Sequence, residues 1–236
     1  MKNETIWLYW EGAEIPAYYK LCQDSILKHN PTARIIGPED LPDLIGDIPE
    51  VFKKAYITHK VDWLRKRLLF EQGGMYVDSD FICHKPLTPI LSMCKDFDYV
   101  GYKMWDGRHM DNFFGCKAGS PIVETAADYA LAQIERKLGK IQWFEASSDA
   151  IAAGFKAHKF QSLWTLLSTH HIVPKSGYEH AWFFKELESE EDIPKHHSFG
   201  YMTSVHSFGN KVRGKCREEL LTMNNRLGHI LRKGVL

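Results

Sequence analysis

Residues 57–87 read ITHKVDWLRKRLLFEQGGMYVDSDFICHKPL. Ile57, Val61, Leu64 and Leu68 recur at helical spacing, which predicts a helix over 57–72 with one apolar stripe. Gly73-Gly74 follows at once, and glycine tolerates the left-handed backbone that commonly closes a helix C-terminus. Met75-Tyr76-Val77 then reads as a strand, with Asp78-Ser79-Asp80 at its end. Pro86 and Pro89 mark a loop beyond it.

Working outward, strands alternate with helices. TIWLYW at 5–10 is rich in β-branched and aromatic residues and reads as a buried strand, followed by a helix over 16–29. Residues 33–37, 99–104 and 112–117 read as further strands, and 121–138 as a helix. The region 140–190 is poorly patterned and helical in part. Residues 201–206 read as a late strand and 216–231 as a last helix. Such alternation suggests a mostly parallel α/β sheet covered by helices, with ligands outside the carboxyl ends of the strands. Asp78 and Asp80 lie at one such end.

The 236 residues can bury one sizeable core, so a single domain over 1–236 is expected. Thirty basic residues against thirty acidic ones leave no global field to gather nucleic acid. A 44% hydrophobic content argues against disorder. The five cysteines are scattered, with no C-x-x-C, which favours a reducing compartment over a disulfide framework. No long apolar stretch resembles a signal peptide or a membrane span, so a soluble, cytoplasmic protein is expected.

Two carboxylates one residue apart at a strand end suit a hard divalent cation. Manganese and magnesium prefer oxygen ligands, and magnesium usually takes one or two carboxylates plus substrate phosphates. D-x-D alone is weak evidence, since about one chance copy is expected per chain of this length. Asp96-Phe97-Asp98 is a second copy, without the preceding Gly-Gly, and reads as a solvated turn.

The first copy has more context. Asp62 and Arg65 lie three apart and share a helix face. Asp62-x-x-Arg65, then Gly73-Gly74-x-Tyr76-x-Asp78-x-Asp80, then Lys85-Pro86-Leu87 closely resembles the D-x-D sugar-binding region of one glycosyltransferase group. That group, glycosyltransferase family 32, includes yeast-type mannosyltransferases, capsule-synthesis transferases and the catalytic domains of clostridial glucosylating toxins. The resemblance implies the Rossmann-like, nucleotide-sugar-binding α/β fold called GT-A, a mostly parallel sheet flanked by helices. It implies a metal-dependent, retaining transferase working from a nucleotide-sugar, preferably a uridine diphosphate sugar, on a glycan or similar hydroxyl acceptor in surface polysaccharide synthesis. Asp80 would bind manganese or magnesium directly. Asp78 would contact the donor and help hold the metal. Asp62 and Arg65 would bind donor sugar hydroxyls, with Tyr76 nearby. The opening strand with Tyr9 and Trp10 resembles the family's base-stacking strand, Asn112 its acceptor-side strand, and His206 a late histidine that completes the metal or diphosphate site.

Each feature has a plainer reading. Asp62 and Arg65 could be a surface ion pair, Trp10 ordinary core and His206 an ordinary histidine. The pairs His170-His171 and His196-His197 lack zinc spacing and read as structural, and Cys83-His84 has no catalytic role. The last segment, from Lys211, is basic with an apolar face of Leu220, Met223, Leu227, Ile230 and Leu231. It reads as a basic amphipathic helix near 215–233, either packed or weakly docked on anionic membrane. A sugar-nucleotide-binding module without turnover is the non-enzyme alternative. An aspartyl phosphotransferase would want Thr or similar where Ile82 stands.

Overall fold

The computed structural model describes residues 3–175, 179–190, 193 and 198–236. The His196-His197 pair lies outside them. In chain order the first elements are β1 (Ile6–Tyr9), α1 (Ala17–His29), β2 (Ala33–Ile36), α2 (Leu41–Ile45), α3 (Glu50–Lys54), α4 (Ile57–Gln72) and β3 (Gly74–Val77). Next come β4 (Phe81–Cys83), α5 (Thr88–Met93), β5 (Tyr99–Lys103), β6 (His109–Cys116), α6 (Pro121–Arg136) and α7 (Ser148–His158). Then follow β7 (Trp164–Leu167), α8 (Thr169–Ile172), α9 (His180–Phe183), β8 (Gly200–Met202), α10 (Val205–Phe208), α11 (Arg217–Thr222) and α12 (Arg226–Val235). They gather into two compact units. Among the described residues, one holds 3–9, 34–77 and 88–167, and the other 10–33, 78–87 and those from 168 onward.

The first unit carries a six-stranded sheet in the order β2-β1-β3-β6-β5-β7. β1 is parallel to β3 and β5 to β7, while β6 runs antiparallel to both β3 and β5. Strands β1, β3, β5 and β7 therefore point one way and β6 the other. The mostly parallel α/β reading holds. Helices α4, α6 and α7 share the core of this unit, with Leu64, Leu68, Ile122, Ala126 and Ile151 buried in it. Ile57 begins the predicted stripe but is exposed at the N-terminus of α4.

The Gly73-Gly74 stop is required by geometry. Gly73 caps α4, its N–H donating to Leu69 O, and both glycines have positive φ, 64° and 88°. The carbonyl of Gly73 also accepts the indole N–H of Trp7 at 3.0 Å. This chain reversal brings β3 beside β1 within one residue of the helix.

In the second unit β4 pairs antiparallel with β8, Ile82 opposite Tyr201. Helices α1, α11 and α12 pack around them on a core that includes Leu21, Ile82, Leu220, Leu227, Ile230 and Leu231.

Several boundaries differ from the sequence reading. Pro89 is the second residue of α5 rather than loop, a position where its missing N–H costs nothing. The late strand stops at Met202, because the Ser204 side chain accepts the Ser207 N–H and starts α10. The expected helix over 216–231 is broken. Asn225 accepts the Gly228 N–H at 2.9 Å and begins α12 afresh. Its apolar face is buried in the unit's own core, as the packed-helix reading expects. Strand β7 falls in the stretch left unassigned, being short and half-exposed.

Candidate active site

Strand β3 ends at Val77, and the next residues do not continue it. The Phe81 N–H donates to Asp78 O at 3.1 Å, so Asp78 to Phe81 is a turn. Side-chain alternation along a strand therefore does not set the direction of the two carboxylates. Packing within the second unit sets the turn instead. Asp80 O accepts both the backbone N–H and the hydroxyl of Thr203, and the Tyr18 hydroxyl lies 2.9 Å from that Thr203 hydroxyl. Gln23, fully buried on α1, donates to Ser79 Oγ at 3.1 Å. The backbone of the D-x-D turn is thus held by α1 and by the residue that follows β8. Asp78, Ser79 and Asp80 are half-buried.

The two carboxylates act on the ionisable groups packed beside them. Burial, then the charge of Asp80, with Cys22 and Asp78 adding and Arg213 opposing, pushes the Tyr19 phenol up to about 12. Cys22 is raised by burial and by Asp80 as well. Two carboxylates with no third His, Cys, Asp or Glu gathered beside them, among the described residues, do not make a closed metal cage. They do match the hard-cation pattern in which substrate phosphates complete the coordination. His206 is exposed on α10.

In the first unit, Asp62 and Arg65 are buried, at 5% and 6% exposure, so the surface ion-pair reading fails. Arg65 donates to Asp62 Oδ1 through Nη2 and to Asp111 O through Nη1 at 3.2 Å. Its Nε lies 3.2 Å from Asp111 Oδ2, and its guanidinium sits over the Tyr76 ring. Burial pushes the Asp62 carboxyl up, but Arg65, His59 and Lys66 together hold it below the usual carboxylate range. Lys66 and Asp111, neither singled out in the sequence, complete a buried cluster of two cations and two carboxylates. Nothing in an R-K-R run announces a buried lysine, since Lys is almost never fully buried without a partner.

The other candidates are placed as follows. Tyr9 and Tyr76 are core residues of the first unit, 5% and 2% exposed. Asn112 is half-buried on β6, its Oδ1 accepting the Tyr102 hydroxyl at 2.9 Å. Trp10 lies beyond β1 and packs on Tyr19 at 5.1 Å between ring centroids, with its buried indole N–H unpartnered. It is therefore neither strand nor plain core. Cys83 is buried, its thiol pushed up to about 11, which suits the inert reading. Asp98 of the second D-x-D is not solvated. It is 5% exposed, accepts the Leu163 N–H at 2.9 Å and pairs with Lys117.

His109 begins β6 and stacks on Phe155, ring centroids 4.2 Å apart, with Nδ1 buried and unpartnered. Burial, with the charge of Lys103 adding, lowers its pKa to about 4. Between the ordinary 6.5 and about 4 the unfolded chain binds a proton that the folded chain refuses, so stability falls as pH falls through that window. His109→Phe keeps the stack without the proton. It is expected to recover up to about 3 kcal/mol at pH 4 and little at pH 8, read from urea midpoints. Equal shifts at both pH values would remove the titration argument.

The solved structures that this fold resembles are glycosyltransferases. PaToxG glycosyltransferase superposes with a TM-score of 0.50 at 16% identity, over 67% of this chain and 70% of that one. GlyE from Streptococcus pneumoniae TIGR4 does so with 0.56 at 13% identity, over 99% of this chain and 63% of that one. The architecture is thus of the GT-A type. Residues 16–96 match the family described as "Glycosyltransferase sugar-binding region containing DXD motif". That match takes in Asp62, Arg65, Asp78 and Asp80, so this part of the chain is similar to the sugar-binding region of DXD glycosyltransferases. No curated protein matches the chain. Among the described residues no helix is long and apolar enough to cross a membrane.

Proposed function

We propose that the chain moves a sugar from a uridine diphosphate donor to a hydroxyl of a glycan acceptor, in surface polysaccharide synthesis, using manganese or magnesium. The observation that supports this reading is the pair of carboxylates, Asp78 and Asp80, carried on one hydrogen-bonded turn within the matched region. Bound there, a divalent cation would neutralise charge gathering on the leaving diphosphate. Asp78 and Asp80 would hold it, with substrate phosphates completing the coordination. Arg65 and Asp62 would meet the donor hydroxyls, Asn112 the acceptor side, and Trp10 the base.

The chemistry favours retention by a front-face displacement over a covalent intermediate. Asp62 is ion-paired and held more acidic than usual, and Asp111 is paired with both Arg65 and Lys66. Carboxylates so neutralised are weak nucleophiles. The task left to the chain is alignment of donor and acceptor and stabilisation of the leaving group.

Thermal unfolding with uridine, guanosine and cytidine diphosphates, with and without manganese, tests the reading. A ligand at about 100 times its Kd adds about 2.7 kcal/mol, which is about 5–10 °C for a chain of this size. Uridine diphosphate with manganese should give that shift, and neither alone should. A shift with guanosine diphosphate instead would change the donor. Manganese-dependent donor binding without hydrolysis or transfer would favour the binding-module reading, and no shift at all would leave the fold without the donor.

A further inference from the structure

Lys66 sits on α4 beside Arg65 and is fully buried. An ammonium has three donors, and here each has an oxygen. Lys66 Nζ donates to Asp62 O at 2.6 Å, to Ala146 O at 2.9 Å and to Asp111 Oδ2 at 2.5 Å. Those three oxygens come from α4 itself, from the segment before α7 and from β6. Asp111 is also where Arg65 is held, through Nη1 on its carbonyl and Nε beside its carboxylate. Removing the lysine would leave two buried carboxylates to one guanidinium. The guanidinium would then be free to follow either Asp62 or Asp111.

We propose that Lys66 and Asp111 are positioning residues for the donor sugar, fixing the Arg65 guanidinium and the Asp62 carboxylate in the orientation that meets its hydroxyls. This rests on the reading that Arg65 and Asp62 face the sugar. Lys66 touches no substrate. It acts by holding Asp111 in the place from which Asp111 fixes Arg65 against Asp62, and by tying α4 to β6.

Titration calorimetry in manganese would compare uridine diphosphate with uridine diphosphate glucose, and guanosine diphosphate with guanosine diphosphate mannose. The gain in affinity from the sugar is the readout, because a purely structural role would leave it unchanged in any folded variant. Single removal of one charge endangers folding, so the main variant is the pair Lys66→Met with Asp111→Leu. Replacing a buried ion pair by apolar residues of similar volume is often neutral or stabilising. This variant should keep the wild-type urea midpoint and nucleoside diphosphate affinity, and lose about tenfold in the sugar's contribution. Asp111→Asn, which keeps shape and an acceptor oxygen, is measured alongside and should lose part of the same contribution. A wild-type sugar contribution that survives in every folded variant overturns the positioning role alone. A wild type that gains nothing from either sugar overturns the donor reading, and the positioning role with it.

Discussion

Asp80→Ala is expected to abolish manganese-dependent donor binding and to lower turnover by a factor of about 10²–10³ or more, the usual loss when one preorganised electrostatic group at a leaving charge is removed. The proposed metal site has only two protein carboxylates, and no third His, Cys, Asp or Glu is gathered with them among the described residues. A cation held mainly by substrate phosphates and two carboxylates cannot lose one of the two cheaply. The backbone of the turn should not collapse, because Thr203 binds the Asp80 carbonyl and Gln23 binds Ser79, neither through the deleted carboxylate. The variant should therefore unfold at the wild-type urea midpoint. The phenol of Tyr19 offers a separate check. Its pKa, about 12, owes part of its rise to Asp80, so the variant should titrate at lower pH by ultraviolet absorbance. Turnover within threefold of wild type, with the Tyr19 shift present, would show that Asp80 carries charge at this turn but no metal.

The same turn shows what could be read in the sequence and what could not. Helix α4 was legible to its last residue, because Leu64 and Leu68 mark its buried face and Gly73-Gly74 can only end it. The local pattern and its stop agree, and no distant residue is needed to choose between them. The orientation of Asp78 and Asp80 was not legible. It depends on Thr203, more than a hundred residues later, and on Gln23, a buried amide on a helix face that reads as polar surface. Lys66 and Asp98 were missed for the same reason. Each is a charged residue whose partners, Asp111 for one and Leu163 and Lys117 for the other, adjoin only after the sheet forms. Strand β7 was lost differently. Four residues with alternating half-exposure carry too little pattern to outweigh the irregular stretch around them. Spacing thus located the candidate residues, while the charges that set their behaviour came from tertiary packing.

Gly74→Ala is expected to cost at least about 3–4 kcal/mol and to undo the β1–β3 pairing that leads into the D-x-D turn. Gly74 has φ of 88°, where an L side chain is strained by about 1–2 kcal/mol. A Cβ there would stand 2.3 Å from Thr5 O, an overlap with backbone rather than with the end of a movable side chain. That same Thr5 carbonyl accepts the Met75 N–H at 3.0 Å, the bond that sets β3 beside β1. The methyl group can fit only if Thr5 retreats, and the retreat breaks the bond. Gly73 gives no slack, since its own Cβ position is filled by Asn3 and by the backbone of Ala118. Such a loss is about a fifth to four fifths of the 5–15 kcal/mol that ordinarily stabilises a fold. Urea unfolding of the variant measures it directly. A loss below about 1 kcal/mol would mean that β1 shifts freely against β3, and the glycine pair would then mark only the end of a helix. A large loss, reversed by no nucleotide or metal, would place Gly73-Gly74 in the scaffold: the motif's glycines build the strand, and its aspartates are left for the donor.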